Sequence, residues 1–300
     1  MPEIRSYVDR NTESPDIVNL GNREVVVFST RSPAKTTRNE DTLAWLAWPN
    51  ALLVVLADGV GGQPGGGNAS EFAVQVLVDR FKNVNDDQIS VDVFRGGVLD
   101  AFERANLEIQ QLGNGSATTL TALTLVDNSI RVFNVGDSST LICGGKGRVK
   151  FENTAHSPTG YAVAAGVLDS DDALHHDERH LISNIVGSPE MHIDIGPVQK
   201  ISPRDRIVVA SDGLWDNMYV DEVNSAARVV PLYKAAGIIS RTCKNRMARE
   251  GGQLPGHADD LSFVVIRTLS AKTSGPSGQM PLSVDSPESN GNEPSGASSS

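Results

Sequence analysis

Apolar positions along this chain fall into two patterns. Short β-branched or aliphatic runs at 25–29, 42–48, 51–58, 118–126, 130–135, 140–143, 206–210 and 261–268 are each bounded by turn residues and predict strands. Pro49-Asn50 and Asp127-Asn128 separate consecutive runs and predict hairpin turns. Elsewhere the period is helical. Phe72, Val76 or Leu77, and Phe81 predict a helix over 69–81, with Asn68 or Ser70 as its cap. Phe94, Val98, Phe102, Ala105, Ile109 and Leu112 predict a second over 94–112, stopped by Gly113. A further helical stretch covers about 221–249. The strands come in antiparallel-looking groups without regular strand–helix alternation, which predicts an α+β fold with helices laid on a sheet or sandwich.

Composition adds boundaries. The chain has 300 residues, 39% hydrophobic and 21% charged, which is ordinary for a globular protein with a sizeable core. From Ala271 the sequence is rich in Ser, Gly and Pro and lacks aromatics, so it cannot bury enough apolar surface to offset ordering. The expected organisation is a lead segment over 1–20, a folded domain over 21–270 and a disordered tail over 271–300. The longest apolar run, 51–57, is too short to span a bilayer, and the first residues do not read as a signal peptide. Two cysteines, Cys143 and Cys243, stand a hundred residues apart, which fits a disulfide-free cytoplasmic protein, and neither is read as a nucleophile. A net charge of −11 disfavours non-specific nucleic-acid binding.

The position of the acids matters more than their number. Acidic motifs recur at strand ends: Asn39-Glu40-Asp41, Asp58-Gly59-Val60-Gly61-Gly62, Gly136-Asp137-Ser138, Ser211-Asp212-Gly213-Leu214-Trp215-Asp216 and Asp259-Asp260-Leu261-Ser262. One Asp-Gly after a strand is usually a turn. Five such motifs can converge on one edge of the sheets, where their carboxylates would repel unless a cation neutralised them. Oxygen ligands of this kind suit Mg²⁺ or Mn²⁺ better than zinc. The residues alone lead to a carboxylate-bound metal site and do not name a reaction.

In this order and spacing the five motifs resemble the metal-dependent type 2C (PPM) protein phosphatases, from about residue 25 to 267. The resemblance implies two antiparallel β-sheets packed as a sandwich flanked by helices, with a dinuclear site at one end. It also implies hydrolysis of phosphoserine and phosphothreonine in proteins by water activated between two cations, Mn²⁺ or Mg²⁺, without a phosphoenzyme. By the same resemblance Asp58 bridges both ions, Gly59 offers its carbonyl, and Asp212 and Asp259 complete the set. Glu40 and Asp41 contact metal-bound water, and Asp260 stands where relatives more often carry Asn. Asp137 and Asp216 match the holders of a third, weaker ion. Phosphoprotein substrates, a serine/threonine kinase as counterpart and a monomeric state are implied as well.

Three departures qualify the match. The arginine that grips phosphate in the family is replaced by Thr36, leaving Lys35 or Arg38 as the expected substitutes. Gln63 and Val60 stand where relatives place a histidine, so the general acid is unassigned, and the arginine of GDSR is Ser139. These changes raise an alternative, a pseudophosphatase that binds phosphoproteins or a kinase; the intact Asp58, Asp212 and Asp259 favour the enzyme. The His-rich stretch 174–184 has His176 and His180 four apart, but Asp177 replaces the Glu of a zinc-protease motif. The resemblance instead places it in a flap that shapes substrate access.

Overall fold

The computed structural model describes residues 1–60, 65–249 and 252–269; the expected tail and the Gly61, Gly62, Gln63 and Pro64 portion of the glycine-rich loop lie outside the described residues. The chain opens with β1 (Glu3–Val8), β2 (Asp16–Leu20), β3 (Arg23–Thr30), β4 (Asp41–Ala47) and β5 (Ala51–Asp58). Two long helices follow, α1 (Gly66–Phe81) and α2 (Val91–Gln111). Next come β6 (Leu120–Val126), β7 (Ser129–Val135), β8 (Ser139–Cys143) and β9 (Val149–Glu152). The short helices α3 (Pro158–Ala164) and α4 (Ser170–Ala173) lead to β10 (Asp194–Ile195), β11 (Gln199–Lys200) and β12 (Arg206–Ala210). The last elements are α5 (Asp212–Trp215), α6 (Val220–Ala227), α7 (Leu232–Met247) and β13 (Leu261–Thr268).

One sheet runs β1-β4-β5-β6-β7-β10, with β11 also on β7, and the other runs β2-β3-β13-β12-β8-β9; the pairings are antiparallel. Each sheet is covered on both faces. Leu53, Val55 and Ala57 of β5 pack with Phe81, Phe94 and Phe102 of the helices, while Leu52, Val54 and Leu56 meet Val264 and Ile266 of the opposite sheet. A third core joins Val26, Val208 and Val265 to Val223, Ile239 and Cys243 of α6 and α7. The result is a helix–sheet–sheet–helix sandwich, as the resemblance implied. It also explains why β5 reads as a continuous apolar run: both of its faces are buried, so the usual alternation is lost.

The differences from the sequence reading are local. Helix α1 starts at Gly66, before either expected cap, because Ser70 Oγ donates to the Glu40 carbonyl (2.5 Å) and Asn68 Oδ1 accepts from Arg38 (2.9 Å). The stretch at 221–249 is two helices parted at Pro231, whose ring removes the N–H that an unbroken helix would use. Within the first twenty residues, β1 pairs with β4 and β2 with β3, adding an edge strand to each sheet. Their exposed, polar positions carry little hydrophobic signal. Among the described residues no helix is long and apolar enough to cross a membrane.

Candidate active site

Antiparallel pairing brings the five acidic motifs to one end of the sandwich. Asp41 opens β4 directly opposite Asp58, the last residue of β5. Asp137 follows β7, Asp212 follows β12, and Asp259 and Asp260 precede β13, the neighbour of β12. Two glycines allow the backbones to close in. A side chain at Gly59 would collide with the backbone of Gly66, and one at Gly213 with the carbonyl of Asp260. The Asp58 turn is held by Thr118 Oγ1, which donates to the Asp58 carbonyl (2.7 Å), and by Thr119 Oγ1, which accepts from the Asp58 N–H (3.0 Å).

The carboxylates are crowded and short of partners. Asp41 is fully buried; its Oδ2 accepts from Ser211 Oγ at 2.9 Å, and its Oδ1 has no hydrogen-bond partner. Asp137 Oδ1, Asp212 Oδ1 and Asp216 Oδ2 are likewise buried without a partner. Burial raises the proton affinity of Asp41, Asp58, Asp137, Asp212 and Asp216, and repulsion from neighbouring carboxylates adds to it. Asp58 is held well above the ordinary carboxylate range by burial and then by Asp41, Asp212, Asp259 and Asp137. Asp212 is raised in the same way, by burial and by Asp259, Asp137 and Asp216. Burial pushes Asp41 and Asp216 to about 7 and Asp137 to about 6. Orphan oxygens converging from separate strands fit a divalent cation site, because cations would satisfy them and remove the repulsion together.

The expected phosphate-binding residues take different places. Lys35 Nζ lies among acids, 2.9 Å from Asp260 Oδ2, 3.0 Å from Glu40 Oε2 and 3.5 Å from Asp259 Oδ1. Burial opposes its charge, but Asp259, Asp260 and Glu40 outweigh that cost and hold its pKa above the ordinary value. Arg38 turns to α1, donating to Asn68 Oδ1 (2.9 Å) and Glu71 Oε2 (3.2 Å). Asp260 has both oxygens occupied: Oδ1 accepts from the Ser32 N–H (2.7 Å), and Oδ2 from the Glu40 N–H (2.8 Å) as well as from Lys35. It therefore ties the 32–40 loop to the start of β13.

Sequence reasoning missed several supporting residues. Ser211 orients Asp41, although its place just before Asp212 was a signal. Arg179, within the His-rich stretch, brings Nε to 3.9 Å from Asp216 Oδ2. His176 and His180 of that stretch are exposed, whereas His175 contacts Tyr219 Oη at 3.1 Å. His156, fully buried, fixes the turn before Asp137: its Nδ1 accepts from the Gly136 N–H (3.1 Å), and its own N–H bonds the Gly136 carbonyl (3.0 Å). That donor places the imidazole proton on Nε2, facing Asp194 Oδ2 at 3.1 Å. His192 stacks on the His156 ring, and with Nδ1 accepting from Gly136 and the proton on Nε2, His156 has no lone pair free for an ion beside His192 and Asp194. Cys243 does stand a Cys-x5-Arg interval before Arg249, but it is buried within α7 with its thiol pushed up to about 12, so it offers no thiolate.

Residues 30–245 match the family model described as protein phosphatase 2C. Protein phosphatase PhpP of Streptococcus pneumoniae is 29% identical over 196 residues, 63% of this chain and 78% of that protein. The solved structure of the PPM Ser-Thr phosphatase MsPP from Mycobacterium smegmatis, in complex with cacodylate, is 26% identical with a TM-score of 0.65 and covers 81% of this chain and 97% of that one. The catalytic domain of the serine threonine protein phosphatase PstP, solved with 2 manganese ions, superposes with a TM-score of 0.64 at 20% identity, covering 82% and 98%. Fold and site together define a phosphatase sandwich with an acid-lined end. The chain belongs to the protein phosphatase 2C family and is a protein phosphatase.

Proposed function

We propose that this protein hydrolyses phosphoserine and phosphothreonine in proteins, using a pair of Mn²⁺ or Mg²⁺ ions held by Asp58, the Gly59 carbonyl, Asp212 and Asp259, with Asp137 and Asp216 able to take a third. The observation that carries the reading is the set of buried, unpartnered aspartate oxygens drawn from separate strands to one end of the sandwich. Bound divalent cations supply Lewis-acid stabilisation of the phosphoryl oxygens and make water acidic enough to react near neutral pH. Asp41, anchored by Ser211, and Glu40 orient that water by accepting its hydrogen bonds. Lys35, cationic throughout the physiological range, lies close enough to Glu40 and Asp259 to meet a phosphate oxygen there. Because phosphoryl transfer depends mainly on positioning and electrostatics, no nucleophilic side chain is needed.

Phosphoproteins modified by a serine/threonine kinase are the natural substrates under this reading, and the enzyme acts as a cytoplasmic monomer. Two buried, unpaired cysteines and the net negative charge support a cytoplasmic setting away from nucleic acid.

The test is phosphate release from a phosphothreonine peptide with Mn²⁺, with Mg²⁺ and with chelator. Turnover that requires the cation and disappears in Asp212→Asn supports the reading. Folded protein that binds Mn²⁺ without turnover would favour the phosphoprotein-binding alternative instead.

A further inference from the structure

A cavity of about 510 Å³ opens beside the aspartate cluster. Asp137, Asp212 and Asp216 form the wall it shares with the proposed metal site. The rest is built by β9, by the loop and helices α3 and α4, and by the start of α6. Its charge is one-sided. Besides the three shared acids it is lined by Glu152, Asp169, Asp171 and Asp221, against a single guanidinium, Arg179. Cations in the metal site would neutralise the shared wall. They would leave the four outer carboxylates as they are: exposed, and without an ion-pair partner among the described residues.

The lining between these two sets of acids is partly apolar, with Val163, Leu174 and Met218 among its residues. An apolar wall ending in an acidic rim complements one kind of side chain, an aliphatic stem carrying a positive head. Lysine and arginine have that build. A divalent cation would gain nothing from the apolar wall, and a neutral residue nothing from the rim. Arg179 does not quench the rim, since its guanidinium faces Asp216, with Nε 3.9 Å from Oδ2 and unbonded. Two of the shared acids, Asp137 and Asp216, are more than nine-tenths buried and present unpartnered oxygens, so the cavity is continuous with a site that awaits a ligand.

From this geometry we infer that the cavity receives the polypeptide flanking the phosphorylated residue and selects substrates carrying lysine or arginine beside the phosphoserine or phosphothreonine. The inference rests on the phosphatase reading and goes further by naming the substrate class.

The test uses phosphothreonine peptides that differ only in the flanking positions, with Lys/Arg, Ala or Glu there, assayed at saturating Mn²⁺ and at low and high salt. The basic peptides are expected to exceed the acidic ones in kcat/KM by about tenfold, the effect of two partly exposed ion pairs, and to lose most of that margin at high salt. In the triple variant Glu152→Gln/Asp171→Asn/Asp221→Asn the preference should fall to about twofold. Hydrolysis of para-nitrophenyl phosphate, which has no flanking residues, should be unchanged. Equal rates on all peptides, or a preference that survives in the triple variant, would overturn the inference while normal para-nitrophenyl phosphate turnover kept the phosphatase reading intact. Loss of turnover on every substrate would overturn both. Fluorescence anisotropy with the same peptides gives a second readout: tighter binding of the basic peptide supports the inference, and equal binding contradicts it.

Discussion

Lys35 Nζ and Asp260 Oδ2 lie 2.9 Å apart, and the carboxylate is almost entirely buried. The pair joins the 32–40 loop, which connects β3 of one sheet to β4 of the other, to the residues just before β13. Asp260 also accepts the Ser32 and Glu40 N–H groups, so it bears the geometry of Glu40 as well as the charge of Lys35. A neutral Asn could not accept all three donors at full strength.

Asp260→Ala is expected to cost about 3 kcal/mol of stability, since it leaves two backbone donors and a partly buried ammonium without their acceptor. Chemical denaturation of the metal-free protein checks this. Asp260→Asn should cost less, because it keeps an acceptor oxygen.

Lys35→Met removes a cation from a crowd of carboxylates. The metal-free variant should melt at a lower temperature than the wild type, and saturating Mn²⁺ should narrow the gap. KM for a phosphothreonine peptide should rise by about tenfold, as expected for losing one charge-assisted contact to phosphate. Thermal melts and steady-state kinetics read the two effects separately.

The pH dependence follows from the crowded acids. Asp41 and Asp216 titrate near 7 and Asp137 near 6, against an ordinary value of 3.8. Between about pH 4 and pH 7 the native state therefore holds protons that the unfolded chain has released, so metal-free stability falls as pH rises through that window. Calorimetry should show a melting temperature lower at pH 8 than at pH 5 by about 2–8 °C, the shift expected from about 1–2 kcal/mol in a domain of this size. Saturating Mn²⁺ should remove or reverse the trend, because cations favour the ionised form.

Ser211→Ala deletes the hydroxyl that orients Asp41. A hydrogen bond to a charged group contributes about 1.5–3 kcal/mol, so turnover should drop by about tenfold or more. KM should change little, because Ser211 is fully buried and its hydroxyl is bonded to Asp41. A fall confined to KM would contradict this role.

How much of this could be read from the sequence depended on the element. The eight predicted strands were legible because both faces of β4, β5, β12 and β13 are apolar, leaving unbroken runs that few other structures need. Strands β1 and β2 were not, since edge strands with exposed faces need no apolar stripe. The aspartates could be named because each stands at a strand end beside small residues that allow close approach. Their partners could not. That Lys35 meets Asp260 and that Arg179 meets Asp216 depends on contacts between residues 225 and 37 positions apart, which no local pattern records.

Under the reading proposed above, Asp58 belongs to a shared cation site at the meeting point of the two sheets. The most direct measurement is calorimetric titration of Mn²⁺ into metal-free wild-type protein and into Asp58→Asn, with circular dichroism to confirm that both are folded. At least two ions per wild-type chain are expected, with loss of that binding in the folded variant by about a hundredfold or more in affinity. A folded Asp58→Asn protein that binds Mn²⁺ with wild-type stoichiometry and affinity would contradict it.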